Sequence, residues 1–188
     1  MVDTDAVRRQ LSADEHIEWV GRPDPDKRFT KADIFLVPFS VMWGGFAIVW
    51  ESLAIVSGGG FFAIWGIPFV AMGLYLIFGR FIYKANRRRR TTYAVTNRRV
   101  LEIVRGLKGG ESVNATYLRA IPSISTSTTS GGEGTVAFGP SSGRLAQLEG
   151  SGLEFFARGD TSGLRFYDIS DPRAVADLVE RLRASDAG

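Results

Sequence analysis

The sequence predicts an α+β membrane protein in which a two-helix transmembrane hairpin precedes a small antiparallel β-domain that ends in an α-helix. Three observations predict this class. First, Ile34 to Trp50 and Ser52 to Gly79 are runs of 17 and 28 residues without a charge, separated only by Glu51. Second, apolar residues beyond Arg90 occur in short alternating groups, as in strands. Third, the last part of the chain has one apolar stripe at helical spacing.

The composition excludes many kinds of chemistry. The chain has 188 residues, a formal net charge of +3, no cysteine and one histidine, His16. These counts exclude a disulfide scaffold, a thiolate zinc site, an iron–sulfur cluster, a cysteine nucleophile and a multi-histidine metal site. Neither a P-loop nor a GxGxxG element occurs. We therefore predict that the protein is not an enzyme and binds no cofactor or metal.

The two apolar runs are long enough to cross a bilayer. A helix needs about 20 apolar residues to cross a hydrocarbon core of roughly 30 Å. We place the spans at about residues 34–56 and 61–83. The connection Ser57-Gly58-Gly59-Gly60 is so short that the spans must form an antiparallel hairpin. Two buried core helices of a soluble protein are the alternative, but such helices normally carry a polar stripe, which these lack.

Basic residues lie at both ends of the hairpin but not in its connecting loop, so they all lie on one side of the predicted membrane. Lys27, Arg28 and Lys31 precede it, and the connecting loop has no basic residue. The basic residues at its other end are Arg80, Lys84, Arg87, Arg88, Arg89 and Arg90. Positive flanks remain in the cytoplasm, so we predict a multi-pass protein of the cytoplasmic membrane with both termini cytoplasmic. The polar N-terminus lacks the apolar region of a signal peptide.

These patterns divide the chain into four parts. Residues 1–32 form a cytoplasmic N-terminal segment, 33–84 the transmembrane hairpin, 85–90 a polybasic juxtamembrane linker and 91–188 a cytoplasmic β-domain. Ile17 and Trp19 alternate with polar residues, so the N-terminal segment is expected to add a strand and dock on the β-domain.

Seven short strands are predicted after Arg90, with a first hairpin turn at Thr96-Asn97. Ser123 to Thr129 is polar and β-branched, which indicates an edge strand. The glycine- and serine-rich stretch Gly139 to Gly152 is predicted to be a loop. The seven strands are centred on Thr92–Val95, Val100–Val104, Val113–Tyr117, Ser123–Thr129, Thr135–Phe138, Leu153–Phe156 and Leu164–Tyr167.

A terminal helix follows the last strand. Asp171 is a favourable N-cap and Pro172 fits the first helical position. The apolar stripe consists of Val175, Leu178, Val179 and Leu182. This stripe is expected to pack against the strand layer.

Several segments resemble bacterial membrane-anchored proteins with pleckstrin-homology (PH)-like domains. Tyr93-Ala-Val-Thr-Asn-Arg-Arg-Val-Leu101 resembles their YAxTNRRxL segment, and Gly134-Thr-Val-Ala-Phe-Gly139 their GTVxFG strand. Phe166 to Val175 is similar to their last strand and helix, and Leu11 to Pro23 to the segment before their two-span hairpin. The resemblance implies a seven-stranded antiparallel β-barrel or sandwich capped by a C-terminal helix, but it does not imply a ligand.

Two arginine clusters are the candidate binding residues. Arg87, Arg88, Arg89 and Arg90 lie at the membrane exit, where each could gain roughly 1 kcal/mol from anionic phospholipids; the alternative is that they only fix topology. Arg98 and Arg99 follow the first hairpin turn and form a candidate head-group rim, because the resemblance places anionic head groups there in PH domains. The structural alternative is that these two arginines pair with acids such as Glu102.

The sequence therefore favours a non-catalytic, membrane-anchored interaction module. Its partners would be the lipid bilayer with anionic phospholipids, and either an unidentified membrane or cytoplasmic protein or further copies of itself. The exposed edge predicted at Ser123–Thr129 motivates self-association. An anionic-lipid sensor using Arg98 and Arg99 and a small oligomeric channel or transporter subunit using Glu51 are the alternatives. Nucleic acid is not expected, because the aromatic residues lie mainly in the apolar runs and the last 98 residues are charge-balanced.

Overall fold

The structure, a computed structural model, describes residues 4–24, 33–106, 109–129, 132–139 and 163–186. These residues form an α+β protein with two long apolar helices and two antiparallel sheets of four and three strands. The chain divides into two compact units. We call residues 33–85 the hairpin unit and the described residues of 4–24, 86–139 and 163–186 the β unit. The strand predicted at Leu153–Phe156 lies outside the described residues.

The hairpin unit contains the two apolar helices that the sequence predicts. Helix α2 spans Asp33–Val56, and helix α3 spans Gly60–Leu74. A π-helical segment, Tyr75–Gly79, continues α3 into helix α4, Arg80–Arg90. Both Asp33–Val56 and Gly60–Arg90 are long and apolar enough to cross a membrane. The second helix extends beyond the predicted end of its span at residue 83, so the basic residues that follow are helical.

Small residues let α2 and α3 pack closely. Gly44 on α2 and Gly73 on α3 are buried. A Cβ atom added to Gly73 would lie 2.9 Å from the Cα atom of Gly44, which is too close for the two backbones to keep their positions. Gly45 is exposed, and a Cβ atom added there would meet nothing within 4 Å. Contact between these helices therefore depends on the absence of a side chain at specific positions.

The larger sheet has the order β1-β2-β3-β4 and draws its first strand from the N-terminal segment. Its strands are β1, Ile17–Gly21; β2, Thr91–Thr96; β3, Arg99–Arg105; and β4, Glu111–Tyr117. Strand β1 pairs antiparallel with β2, with a bulge between Ile17 and Trp19. Strand β1 is therefore the strand that the sequence predicts for the N-terminal segment, and six of the seven strands predicted after Arg90 are present in the described residues.

The smaller sheet has the order β5-β6-β7 and is followed by the terminal helix. Its strands are β5, Ile124–Thr128; β6, Glu133–Phe138; and β7, Leu164–Ser170. Strand β5 lies at an edge of this sheet, as predicted. Helix α5 spans Pro172–Asp186, and the Asp171 carboxylate accepts a hydrogen bond of 3.1 Å from the Ala174 N–H, which is the predicted N-cap.

Both sheets and α5 contribute to one aromatic and aliphatic core. Phe166 of β7 lies at its centre, with its ring centroid 4.5 Å from Tyr93, 4.9 Å from Phe138 and 5.9 Å from Trp19. The predicted stripe of α5 packs here, because Val175 and Val179 belong to this core. The N-terminal segment is part of the same core through Trp19.

A short N-terminal helix that the sequence does not predict covers the other face of the larger sheet. Helix α1 spans Thr4–Arg8. Its Ala6 and Val7 are buried with Leu101 and Ile103 of β3 in a second apolar cluster. An isolated Ala-Val pair has no helical periodicity. The helix can therefore be recognised only from its packing against the sheet.

We predict that Gly73→Ala destabilises the packing of α2 and α3 by about 1–3 kcal/mol, because the new methyl group overlaps the α2 backbone. Gly45→Ala makes the same chemical change at an exposed position and should be neutral or slightly stabilising. Both changes in stability are measured by unfolding the full-length variants in mixed detergent micelles and monitoring the loss of helix by far-ultraviolet circular dichroism. Equal effects of the two substitutions would contradict close backbone contact at Gly73.

Candidate functional site: the arginine clusters

The four consecutive arginines of the sequence lie in the last turn of α4. Cations are favourable there because the helix dipole places partial negative charge at its C-terminus. Arg89 is exposed, Arg87 and Arg90 are half-buried, and Arg88 is buried. The four arginines that the sequence predicts to contact lipid therefore lie in three different environments: exposed, half-buried and buried.

Arg88 belongs to the interior of the β unit. Its Nη2 donates a hydrogen bond of 2.6 Å to Oδ2 of Asp168, a buried residue of β7. Asp168 has a φ angle of 50°, in the left-handed region that is uncommon for residues other than glycine. This ion pair joins the end of α4 to β7 inside the unit. The geometry therefore favours a structural role for Arg88, whereas Arg89 presents its guanidinium to the surroundings.

Arg99, a residue of the predicted head-group rim, is held by Glu15 of the N-terminal segment. Arg99 donates from Nε to Glu15 Oε1 at 2.8 Å and from Nη2 to Glu15 Oε2 at 2.9 Å. Nη2 also donates to the Gln10 carbonyl at 2.7 Å. A bidentate pair of this kind is among the strongest charge-assisted contacts in proteins. The structural alternative is therefore the better description of Arg99, with Glu15 as its partner instead of the expected Glu102.

The Glu15 carboxylate is also hydrogen-bonded to neutral donors. The Thr96 hydroxyl lies 2.7 Å from Glu15 Oε1, and the Ser12 N–H donates to Oε2 at 3.0 Å. Burial by itself would raise the pKa of Glu15, but the hydrogen bonds from Arg99, Ser12 and Thr96 outweigh burial and lower this pKa to about 2. The same pairing raises the pKa of Arg99. The N-terminal segment is thus fixed to the β2–β3 turn by a charged pair.

Arg98 has a different environment from its neighbour. Its side chain is 51% exposed, and its Nη2 lies 3.8 Å from the exposed Asp14 carboxylate. Exposed pairs of this length contribute little stability. Glu102 instead accepts a hydrogen bond of 3.0 Å from the Asn114 amide. Of the two predicted rim residues, Arg98 is therefore the more accessible to an anion.

The hairpin unit contains a buried charge cluster that the sequence analysis missed. Asp33 at the start of α2 lies 3.1 Å from Arg80 Nη1 and 2.8 Å from Lys84 Nζ, and all three side chains are less than 5% exposed. The sequence treats Arg80 and Lys84 only as positive flanks. The single carboxylate offsets the charge of only one of the two cations, and the Arg80 guanidinium nitrogens have no hydrogen-bond partner in the described part of the chain.

Glu51, the candidate residue of a channel, lies beside α3. A Cβ atom added to Gly66 would overlap the Glu51 Oε2 atom, which has no hydrogen-bond partner in the described part of the chain. The carboxylate thus packs against the backbone of the neighbouring helix. Among the described residues, no group of three or more histidine or acidic side chains could hold a metal ion.

Comparison of the chain with protein-family models, with curated proteins and with solved structures finds no match. The resemblance to PH-like domains therefore rests on the sequence motifs of this chain and stays a prediction.

We predict that Glu15→Gln destabilises the β unit by about 3 kcal/mol at neutral pH, because Arg99 loses its carboxylate. The folded-state pKa of about 2 lies below the unfolded value. The contribution of Glu15 is therefore present above about pH 5 and is lost as the pH falls towards the folded pKa. Urea unfolding of the full chain in micelles across this pH range measures the difference in the free energy of unfolding between wild type and variant. Glu180→Gln, on the exposed face of α5, is the matched control, and a difference independent of pH would contradict the pairing.

We also predict opposite behaviour for two adjacent arginines. Arg88→Gln should destabilise the β unit by about 3 kcal/mol, because it removes the cation bound to the buried Asp168 carboxylate. Arg89→Gln should change stability by less than about 0.5 kcal/mol, because its side chain is exposed. Urea unfolding of both full-length variants in micelles tests this, and equal stability losses would show that the Arg88–Asp168 pair has no special role.

Proposed function

We propose that this chain is a non-catalytic, membrane-anchored interaction module. Helices α2 to α4 anchor it in the cytoplasmic membrane with both termini cytoplasmic. The β unit is a PH-like domain that presents a protein-binding surface at the inner leaflet. Anionic phospholipids assist by contacting the exposed arginine of α4.

The membrane anchor is supported by the distribution of side-chain size on α2 and α3. In these helices the large apolar side chains are exposed and the small residues are buried, which is the reverse of a soluble protein. Large apolar residues point away from the protein: Phe35 is 80% exposed, Val56 85% and Phe61 74%. The buried positions are small, including Gly44 and Gly73. Soluble proteins rarely expose apolar patches larger than a few hundred Å², whereas membrane helices associate through small residues and present large apolar ones to lipid.

The distribution of charge supports the orientation. Arg89 is exposed and Arg87 and Arg90 are half-buried at the end of α4, whereas Ser57-Gly58-Gly59-Gly60 at the opposite end of α3 carries no charge. Basic residues next to spans remain on the cytoplasmic side. An exposed arginine near an anionic leaflet contributes about 1 kcal/mol to membrane attachment. This contribution supplements the apolar helices and needs no specific head-group site.

The topology supports the relation to PH-like domains. Four antiparallel strands, three further antiparallel strands and a terminal helix follow one another in the β unit. The resemblance of the sequence likewise implies antiparallel strands followed by a terminal helix, with seven strands after Arg90, of which six lie in the described residues. The distinctive feature is that the apolar helices are inserted between β1 and β2. Because α4 ends at Arg90 and β2 begins at Thr91, the second apolar helix runs into the sheet without an intervening loop.

The chain contains no cysteine, so single cysteines can report its topology. Ser57→Cys places a thiol in the α2–α3 connection, and Ser185→Cys places one on the exposed end of α5. We predict that an impermeant maleimide labels the Ser57→Cys variant only in right-side-out membrane vesicles and the Ser185→Cys variant only in inside-out vesicles. Labelling of both variants from the same side, or recovery of the protein in the supernatant after an alkaline wash, would contradict the proposal.

A further inference from the structure

Within the described residues, strand β4 is an exposed edge, and its central residues have none of the features that usually protect edges. It pairs with β3 without a register shift and is the last strand of its sheet. Ser112 to Thr116 contains no charge and no proline. Natural edge strands usually carry lysine, proline or a bulge that blocks further pairing. The opposite edge, β1, has such a bulge.

The hydrogen-bond pattern shows which backbone groups of β4 point outward. The Leu118 N–H donates to the Arg98 carbonyl at 2.9 Å, and the Gly106 N–H donates to the Gly110 carbonyl at 2.6 Å. Antiparallel ladders alternate between bonded and non-bonded pairs. The even-numbered residues of β4 therefore bond to β3, and the odd-numbered ones direct their N–H and C=O groups away from it.

The odd-numbered residues, whose backbone groups point away from β3, also carry the apolar side chains of the strand. Val113, Ala115 and Tyr117 lie on one side of β4, as the sequence predicts, but all three are exposed. Val113 is opposite the buried Ile103, and Ala115 is opposite the buried Leu101. The apolar surface that α1 covers on β2 and β3 thus continues onto β4, where no described residue covers it. Exposed apolar side chains beside unpaired backbone groups are the features that favour strand addition.

We propose that β4 pairs antiparallel with β4 of a second copy of this chain, with the two-fold axis at Asn114. This pairing overlaps the whole strand and matches outward N–H and C=O groups on both sides. It places Val113 opposite Ala115 of the second copy and Glu111 opposite its Tyr117. The self-complementary sequence, without a like charge in opposition, selects a second copy over an unrelated partner.

Charge at the ends of the strand is compatible with this pairing. Glu111 is the one charged residue of β4. Its carboxylate lies 2.7 Å from Arg9 Nη2 and 3.4 Å from Arg105 Nε, so it faces Tyr117 of the second copy already neutralised. The inference rests on the proposed function in one respect: anchoring both copies in one membrane raises their effective concentration, which favours a contact of modest area.

Single-cysteine cross-linking tests this pairing directly. Residues opposite each other in a non-hydrogen-bonded antiparallel pair have Cα atoms about 4.5 Å apart, within the range of a disulfide. Asn114→Cys should therefore give a disulfide-linked dimer of the full chain in native membranes under mild oxidation. Thr126→Cys, at the centre of the other exposed edge strand that was predicted to self-associate, should remain monomeric.

A charge on the pairing edge should prevent the dimer. Adding Ala115→Lys to the Asn114→Cys variant places lysine against Val113 of the second copy and should reduce the cross-linked fraction roughly tenfold. Ala184→Lys makes the same change on the exposed end of α5 and should leave cross-linking unchanged. Hydrogen exchange of β3 in each variant verifies that the sheet is intact.

The outcomes separate this inference from the proposed function. A membrane-embedded Asn114→Cys variant that remains monomeric, or cross-links no more than Thr126→Cys, would overturn β4 pairing and leave the membrane anchor unaffected. Insensitivity of the cross-link to Ala115→Lys would also overturn it. A chain that cross-links at position 114 but is washed from membranes would support the pairing and overturn the anchor.

Discussion

The outward direction of the large apolar side chains on α2 and α3 is the constraint on which the account depends. The two helices pack through small residues such as Gly44 and Gly73, so little of their apolar surface is removed from the surroundings by their own contact. The remaining surface is stable only in an apolar medium or against another apolar partner. Lipid meets this requirement with no further protein.

Ion pairs on two buried carboxylates, Glu15 and Asp168, hold the N-terminal segment and the end of α4 within the β unit. Glu15 and Arg99 secure the segment that carries β1, and Arg88 and Asp168 secure the end of α4. Removing either partner of such a pair is costly, although the net contribution of the intact pair is modest. Both arginines belong to clusters that the sequence predicts to contact anions. Arg88 is buried and Arg99 is half-buried, so Arg89 and Arg98 are the exposed members of the two clusters.

The sequence predicts the elements governed by local patterns. Apolar run length predicts α2 and α3, the Thr96-Asn97 turn predicts the β2–β3 hairpin, and the stripe beginning at Val175 predicts α5. Features that depend on distant contacts were missed or misplaced. Helix α1 is too short and polar to be recognised without the sheet face that it covers. The partner of Arg99 is 84 positions away in the chain, whereas Glu102 was expected because it is close in sequence.

The lipid exposure of Trp65 tests the central claim most directly. This side chain is 58% exposed on α3, and replacing Trp19, Trp43 and Trp50 with phenylalanine leaves it as the only tryptophan. In proteoliposomes containing phospholipids brominated on their acyl chains, the account predicts strong quenching of Trp65 fluorescence relative to unbrominated lipids. Undiminished fluorescence from protein that co-floats with the vesicles, or a chain that remains in solution, would contradict the claim that lipid surrounds α2 and α3.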